Sequence, residues 1–382
     1  MEDKNSLWKF PVIIDSYIDS EYVYFSNFQY NSFFRINRND NSIENLGVFD
    51  GFYHDESWQA RSIYDYDGKL YIFSYRSYEI VSYDLETGEK KYFYPEENNV
   101  VFDSVRCTLR VGNDIWIFRE CTNELVAVFS LEEEKYSFYD FSMNDEVLES
   151  LSSAMHVDIQ NAFLIDNIIW RCVCSTNIMI GYNVCTKKIV LKKLAENISL
   201  LGMRVWDENV YFTQTNSLDI LCYDKEFNLC NVYKSQSSLR KQYSYWDVFL
   251  VKDKLYVLPC FENYIMCHCI NDRNIFEKVE LPKEFEKVHD INERTLFYNY
   301  YYHDDRLILF PFAGNGLLEL DVNTNIIKYI PLEIEKEQYI KNIQQNEKNI
   351  LLKRLEIKAC KLGKTAHNNY GENIWNKINE GM

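Results

Sequence analysis

A short phrase recurs along this chain at spacings of 41 to 54 residues. A turn rich in Asp, Gly or Asn leads into an aromatic-aliphatic run. A second run then ends in Tyr-Asp-like residues and a Thr-Gly-like turn. The clearest copy is Asp67-Gly68-Lys69-Leu70-Tyr71-Ile72-Phe73, followed by Ile80-Val81-Ser82-Tyr83-Asp84-Leu85-Glu86-Thr87-Gly88. β-Branched and aromatic runs bounded by turn residues are strand signals. One such unit cannot bury its own hydrophobic faces, so its repetition means stacked β-units.

Seven residues mark the second strand of each copy: Tyr24, Tyr71, Trp116, Trp170, Tyr211, Tyr256 and Ile308. Their intervals bracket the roughly 40–50 residues of a propeller blade. A third strand follows each anchor, as in Phe33-Phe34-Arg35-Ile36, Val126-Ala127-Val128-Phe129 and Leu317-Leu318-Glu319-Leu320-Asp321. A turn then leads to a fourth, as in Lys90-Lys91-Tyr92-Phe93 and Ile326-Ile327-Lys328-Tyr329. The expected fold is therefore all-β: a seven-bladed β-propeller over residues 10–332, with a C-terminal helical extension over 333–382. Six blades with an irregular seventh copy are the alternative, because the first copy lacks a clear Asp-Gly turn. Val12-Ile13-Ile14 reads as the inner strand of blade 1.

Three segments depart from the period. Asn144–Met155 accounts for the longest interval and carries a short helical pattern at Asp145–Leu151. Lys283–Arg294 is a charged insertion between blades 6 and 7. In the C-terminal segment, Ile340, Ile343, Ile350, Leu351 and Leu355 recur at helical spacing. That amphipathic helix docks on the propeller or serves a partner, a second copy of the chain included.

The pattern resembles kelch-like and related propeller repeats over about residues 10 to 332. The paired glycines of true kelch blades are absent, and so is the Trp-Asp ending of WD repeats. Trp206-Asp207 stands before a strand and does not end one. The resemblance implies an architecture and no site residue.

Composition narrows the class of partner. The chain has 41 Lys and Arg against 58 Asp and Glu, a net charge of −17. Such a surface disfavours nucleic acids and anionic membranes and favours an acidic, soluble protein. The start of the sequence shows no basic region followed by an apolar run. Eleven cysteines, mostly within expected strands, read as buried thiols of a reducing, cytoplasmic setting. The pairs Cys172/Cys174 and Cys267/Cys269 have Cys-x-Cys spacing on strands, whereas structural zinc sites space cysteines more widely on turns. No metal or cofactor is expected. The 30 Tyr, 24 Phe and 7 Trp are core for flat blades, and with only 12 Gly, Asn and Asp must fill left-handed turn positions.

In a propeller the loops before the inner strands and those joining strands two and three gather at one face. Rigid scaffolds bind at such concave, multi-loop sites. This sequence places there Trp58 and Arg61, Arg76, Arg106, Arg119, Asn161, Arg204, Trp246 with Asp247, and Asn299. Arg61 and Arg106 each stand ten positions before their anchors, so they should be equivalent on successive blades. A guanidinium presents paired donors that match carboxylate or phosphate. The expected ligand-binding residues are thus Arg61, Arg76, Arg106, Arg119, Arg204, Trp58 and Trp246. Their competing use is to tie blades together through ion pairs.

For catalysis, His54, His156, Asp103 and Tyr75 are the candidates, short of a three-histidine metal site. The reading is a binding protein that recognises an anionic small molecule, glycan or peptide at an Arg- and aromatic-lined mouth. A carbohydrate-active enzyme, polysaccharide lyase or glycoside hydrolase, at the same face is one alternative. A protein-interaction scaffold is the other.

Overall fold

A computed structural model describes residues 13, 15–27, 32–49, 60–75, 79–95, 105–119, 125–141, 161–234, 245–260, 262–271, 276–286, 297–312, 314–332, 341 and 344. Among these, 28 strands form seven four-stranded antiparallel sheets, each a meander of strands consecutive in sequence. The protein is a seven-bladed β-propeller. Blades 1 and 2 span Ser16–Val48 and Ala60–Phe93. Blades 3 to 7 span Val105–Asp140, Ala162–Lys193, Leu200–Tyr233, Tyr245–Glu280 and Phe297–Pro331. The chain divides into two compact units: Met1–Phe102 with Leu332–Met382, and Asp103–Pro331.

Every anchor residue lies on a second strand and is buried, Tyr256 completely. Blade 1 differs from expectation at its inner strand, which is Ser16–Ile18 and not Val12–Ile14. The reason is the following turn: Asp19 Oδ1 accepts from the N–H groups of Glu21 (2.8 Å) and Tyr22 (2.6 Å), which closes the hairpin immediately after Ile18. Asp15 then caps the strand. Its Oδ1 accepts from Ser16 N (2.9 Å), and its Oδ2 reaches Ile63 N of blade 2 (2.8 Å). Ile13 is core, outside any strand.

Aspartate does take the place of glycine in the hairpins. Asp207 and Glu208 both have positive φ (46° and 62°), as do Asp304 and Asp305 (50° and 60°). Two successive left-handed residues are the turn whose twist matches antiparallel strands. Glycine is retained at Gly181, where an added Cβ would come within 2.7 Å of Ile168 and 2.9 Å of the Trp170 ring.

The turn between strands three and four explains the Tyr-Asp…Thr-Gly phrase. In blade 2, Asp84 Oδ1 accepts from Glu86 N (3.1 Å) and Thr87 N (2.8 Å), and Gly88 follows at φ 73°. Asn183 does the same in blade 4 for Cys185 N and Thr186 N, placing Lys187 at φ 55°. Asp321 in blade 7 holds Asn323 N and Thr324 N and places Asn325 at φ 55°. Blade 5 reaches the same geometry with Phe227 at φ 62°.

Within Asp103–Pro331 these left-handed residues land on the anchor of the preceding blade. Lys187 places its ammonium over the Tyr139 and Trp116 rings of blade 3. Phe227 packs edge-on against Trp170, with centroids 4.9 Å apart. Asn325 Oδ1 accepts from the Tyr256 hydroxyl at 2.7 Å. In blades 1 and 2, Phe33 meets Tyr83 edge-on at 5.2 Å, and Lys90 Nζ donates to the carbonyls of Leu46 and Val48.

The start of the insertion expected from Lys283 is a fixed turn. Asn315 Nδ2 donates to Glu284 O, and Asn315 Oδ1 accepts from Glu286 N. The short helix expected at Asp145–Leu151 lies outside the described residues. So does the C-terminal extension, except for Lys341 and Gln344, which are helical. Among the described residues no helix is long and apolar enough to cross a membrane.

Phe227→Ala should lower stability by about 3 kcal/mol, since a buried Phe loses its ring and leaves a cavity beside Trp170. Urea denaturation checks this. Phe227→Tyr should keep most of the stability.

Candidate functional site

In five blades the pairing of the inner strand slips by one residue near its start. The extra residue of these β-bulges is Arg61 in blade 2, Arg106 in blade 3, Trp246 in blade 6 and Tyr298 in blade 7. In blade 5, Leu201 and Gly202 face Thr213 together. Bulges re-aim side chains at strand ends and recur beside binding sites. The equivalence of Arg61 and Arg106 expected from spacing is thus a shared backbone position. Arg61 is half-buried and Arg119 ends the second strand of blade 3. The side chains of Arg106, Arg119 and Trp246 lie outside the described residues, as do His54, Trp58, Arg76, Asp103 and His156 entirely. Tyr75 follows the second strand of blade 2 and is half-buried.

One expected residue is seen with its full surroundings. Arg204 lies deeper than the strand start, directly opposite the anchor Tyr211 in the blade 5 pairing. Its guanidinium donates to Asp247 Oδ2 of blade 6 from Nε (2.9 Å) and Nη2 (2.6 Å). It also lies over the Tyr300 ring of blade 7, 5.0 Å from the centroid. Asn161, just before the inner strand of blade 4, donates to the same Asp247 oxygen and to Met203 O, both at 3.4 Å. Side chains of blades 4 and 5 thus meet at the Asp247 carboxylate of blade 6, and Tyr300 of blade 7 packs on the guanidinium.

The electrostatics follow from burial. Asp247 keeps 3% of its side-chain surface, while Arg204 keeps 31%. Burial pushes the Asp247 carboxyl up, against the pull of Arg204, the Val248 N–H (2.8 Å) and Asn161. Burial works to lower Arg204, but Asp247 and Tyr300 outweigh it and the guanidinium is held more firmly charged. Burial pushes the Tyr300 hydroxyl up to about 12. The pair is therefore an ion pair with a hydrogen-bonded carboxylate, the condition under which buried charge is tolerated.

Arg204 uses only one edge of its fork. Its Nη1 makes no bond to Asp247, the Tyr300 hydroxyl interacts with the guanidinium, and the side chain remains partly open to solvent. A guanidinium so oriented can take a second anion on its free edge. Spacing identified Arg204, Asp247 and Asn161 but missed Tyr300, which sits within a run of three tyrosines that carries no positional signal. It also missed Arg171, fully buried on the second strand of blade 4 with its guanidinium 4.9 Å from the Phe118 ring centre.

Among the described residues the Cys-x-Cys pairs gather no further ligands. Among the described residues no group of three His, Cys, Asp or Glu is arranged to hold a metal ion. Cys174 lies just beyond its strand and is half-buried, and Cys185 and Cys230 are exposed. Cys107, Cys172, Cys222, Cys260 and Cys267 are buried. His268, between Cys267 and Cys269, is fully buried against Tyr233 and Phe276. Neither of its ring nitrogens has a hydrogen-bond partner among the described residues. Burial lowers its pKa, and the nearby Asp219 carboxylate only partly opposes that.

No protein-family description matches the chain, and no curated protein matches its sequence. Solved structures match its fold. A streptogramin B lyase aligns with TM-score 0.57 at 12% identity, over 84% of this chain and 94% of that one. Virginiamycin B lyase from Staphylococcus aureus aligns at 0.56 and 12%, over 80% and 93%. YCF48 bound to D1 peptide aligns at 0.56 and 10%, over 81% and 93%. At these identities the likeness is one of propeller fold alone.

Two substitutions test this chemistry. Arg204→Ala strands a buried carboxylate and should cost about 3–5 kcal/mol at pH 7.5. The loss should shrink as pH falls and Asp247 takes up a proton, and adding Asp247→Leu should recover most of it in urea melts. His268 has a folded pKa below its ordinary 6.5, so the stability of its neutral form is complete above that pH. As pH falls below about 6.5 the unfolded chain binds the proton first, and stability drops by up to about 1.4 kcal/mol per pH unit. His268→Leu should flatten that slope between pH 7 and 5.

Proposed function

We propose that this protein is an intracellular binding protein that takes an anionic ligand on the inner-strand face of its propeller, with Arg204 as the anchor. Propellers often serve as binding or scaffold folds. The observation that carries the ligand class is the free edge of Arg204. Asp247 and Tyr300 orient its guanidinium, leaving Nη1 to donate to a carboxylate or phosphate. Trp246 and Arg106 stand at the bulge positions of the inner strands of blades 6 and 3. No disulfide joins the nine described cysteines to one another, in keeping with a reducing compartment.

The ligand is an anionic small molecule, a uronate- or phosphate-bearing glycan, or an acidic peptide. One solved propeller of the same fold holds a peptide, which makes the peptide arm of the test worth including. The experiment is thermal shift against uronates, sugar phosphates and acidic peptides. It compares wild type with Arg204→Met/Asp247→Leu, which removes the pair together and avoids stranding a charge. A ligand at 100-fold its Kd should stabilise the wild type by roughly 2.7 kcal/mol. The double variant should lose that gain. Equal stabilisation of both proteins, or none across the panel, would overturn the reading.

A further inference from the structure

Lys187 differs from the other residues that tie a third-to-fourth-strand turn to the blade before it. The same turn position is filled by a neutral phenyl ring in blade 5 (Phe227) and a neutral amide in blade 7 (Asn325), so the tie itself does not require a cation. The surroundings of Lys187 do select one. Its Nζ lies 3.7 Å from the centroid of Tyr139, 5.3 Å from that of Trp116 and 5.7 Å from that of Phe141. Among the described residues it has neither a hydrogen-bond acceptor nor an ion-pair partner. Three ring faces within about 6 Å of one ammonium are the arrangement that attracts a cation through the ring quadrupole.

The rings do not depend on the lysine for their positions. Trp116 and Tyr139 stack at 5.7 Å with planes 17° apart, and Phe141 meets Trp116 edge-on at 6.3 Å. Phe141 is held in turn by Tyr182, edge-on at 5.4 Å. Trp116 and Phe141 are buried, while Tyr139 and Lys187 are half-buried and form the open side. Lys187 enters from that side on a left-handed turn residue, not on a strand.

We propose that Trp116, Tyr139 and Phe141 form an ammonium-binding cage, filled in this structure by the chain's own Lys187, that accepts a quaternary or N-methylated ammonium group when that side chain is withdrawn. A methylated ammonium is larger and less strongly hydrated than a primary one. It therefore fills three rings better and loses less on leaving water. Lys187, tethered beside the cage, competes at high effective concentration and acts as the internal blocker. The residues gathered about Arg204 are Asp247, Asn161 and Tyr300, none of them a cage residue.

The test uses the full chain carrying Lys187→Ala, titrated with choline and with its neutral isostere 3,3-dimethylbutan-1-ol. Tryptophan fluorescence and melting temperature are the readouts. Choline should bind the variant saturably, about 10-fold or more tighter than the neutral isostere, in keeping with a cation–π contribution. Wild type should bind it far more weakly, and adding Tyr139→Leu should abolish binding. Binding of neither compound, or of both equally, would overturn the proposal. Should Lys187→Ala not fold, wild type is dimethylated reductively with carbon-13 formaldehyde. Ring currents should then move the Lys187 methyl resonance upfield of the other lysines, in a signal missing from Lys187→Arg. A Lys187 signal among those of exposed lysines would overturn it equally.

Discussion

Each blade is a thin four-stranded sheet that cannot keep both faces dry, so the contact between one blade and the next decides whether the fold exists. In this protein that contact has a specific device. A side-chain acceptor at the end of the third strand, Asn183 or Asp321, gathers backbone N–H groups and forces the chain into a left-handed residue. That residue is then carried onto the large anchor ring of the preceding blade. The device accommodates very different chemistry at its tip: a cation over rings, an edge-on phenyl, or an amide accepting from a hydroxyl. What is shared is backbone geometry: a left-handed residue that turns the chain toward the neighbour.

The same constraint positions the candidate site. Once the outer parts of the blades are held together, the inner strands lie side by side, and polar groups on them meet whether or not they are near in sequence. Asn161, Arg204, Asp247 and Tyr300 come from four blades and share one carboxylate or one ring face. In blades 5, 6 and 7 a bulge precedes the residue that contributes. The result is a guanidinium fixed on one edge and open on the other, the preorganised state that binding an anion requires.

Buried polarity is distributed unevenly among the described residues. Asp247 is satisfied by a cation, an amide and a backbone N–H, whereas His268 sits between rings with both nitrogens unsatisfied. In the first arrangement burial raises the carboxyl and its three partners oppose that. The second is tolerated only while the imidazole is neutral, which ties part of the stability to solution pH.

Much of the fold is legible in the sequence. The seven anchors, the third strands and the turn chemistry of Asp and Asn are local: they depend on alternation, side-chain size and tolerance of positive φ, all of which a sequence displays. The inner strand of blade 1 was misplaced by a few residues because Val12-Ile13-Ile14 is as apolar as a strand, while the capping by Asp15 and Asp19 that sets the true boundary is a matter of hydrogen bonds. Residue spacing alone matched Arg61 to Arg106, since a repeat preserves position. It could not show that Arg204 would be paired with Asp247, that Tyr300 would lie beneath it, or that Lys187 would rest among three rings of another blade. Those outcomes depend on distances between blades, and they exist only once the sheets pack.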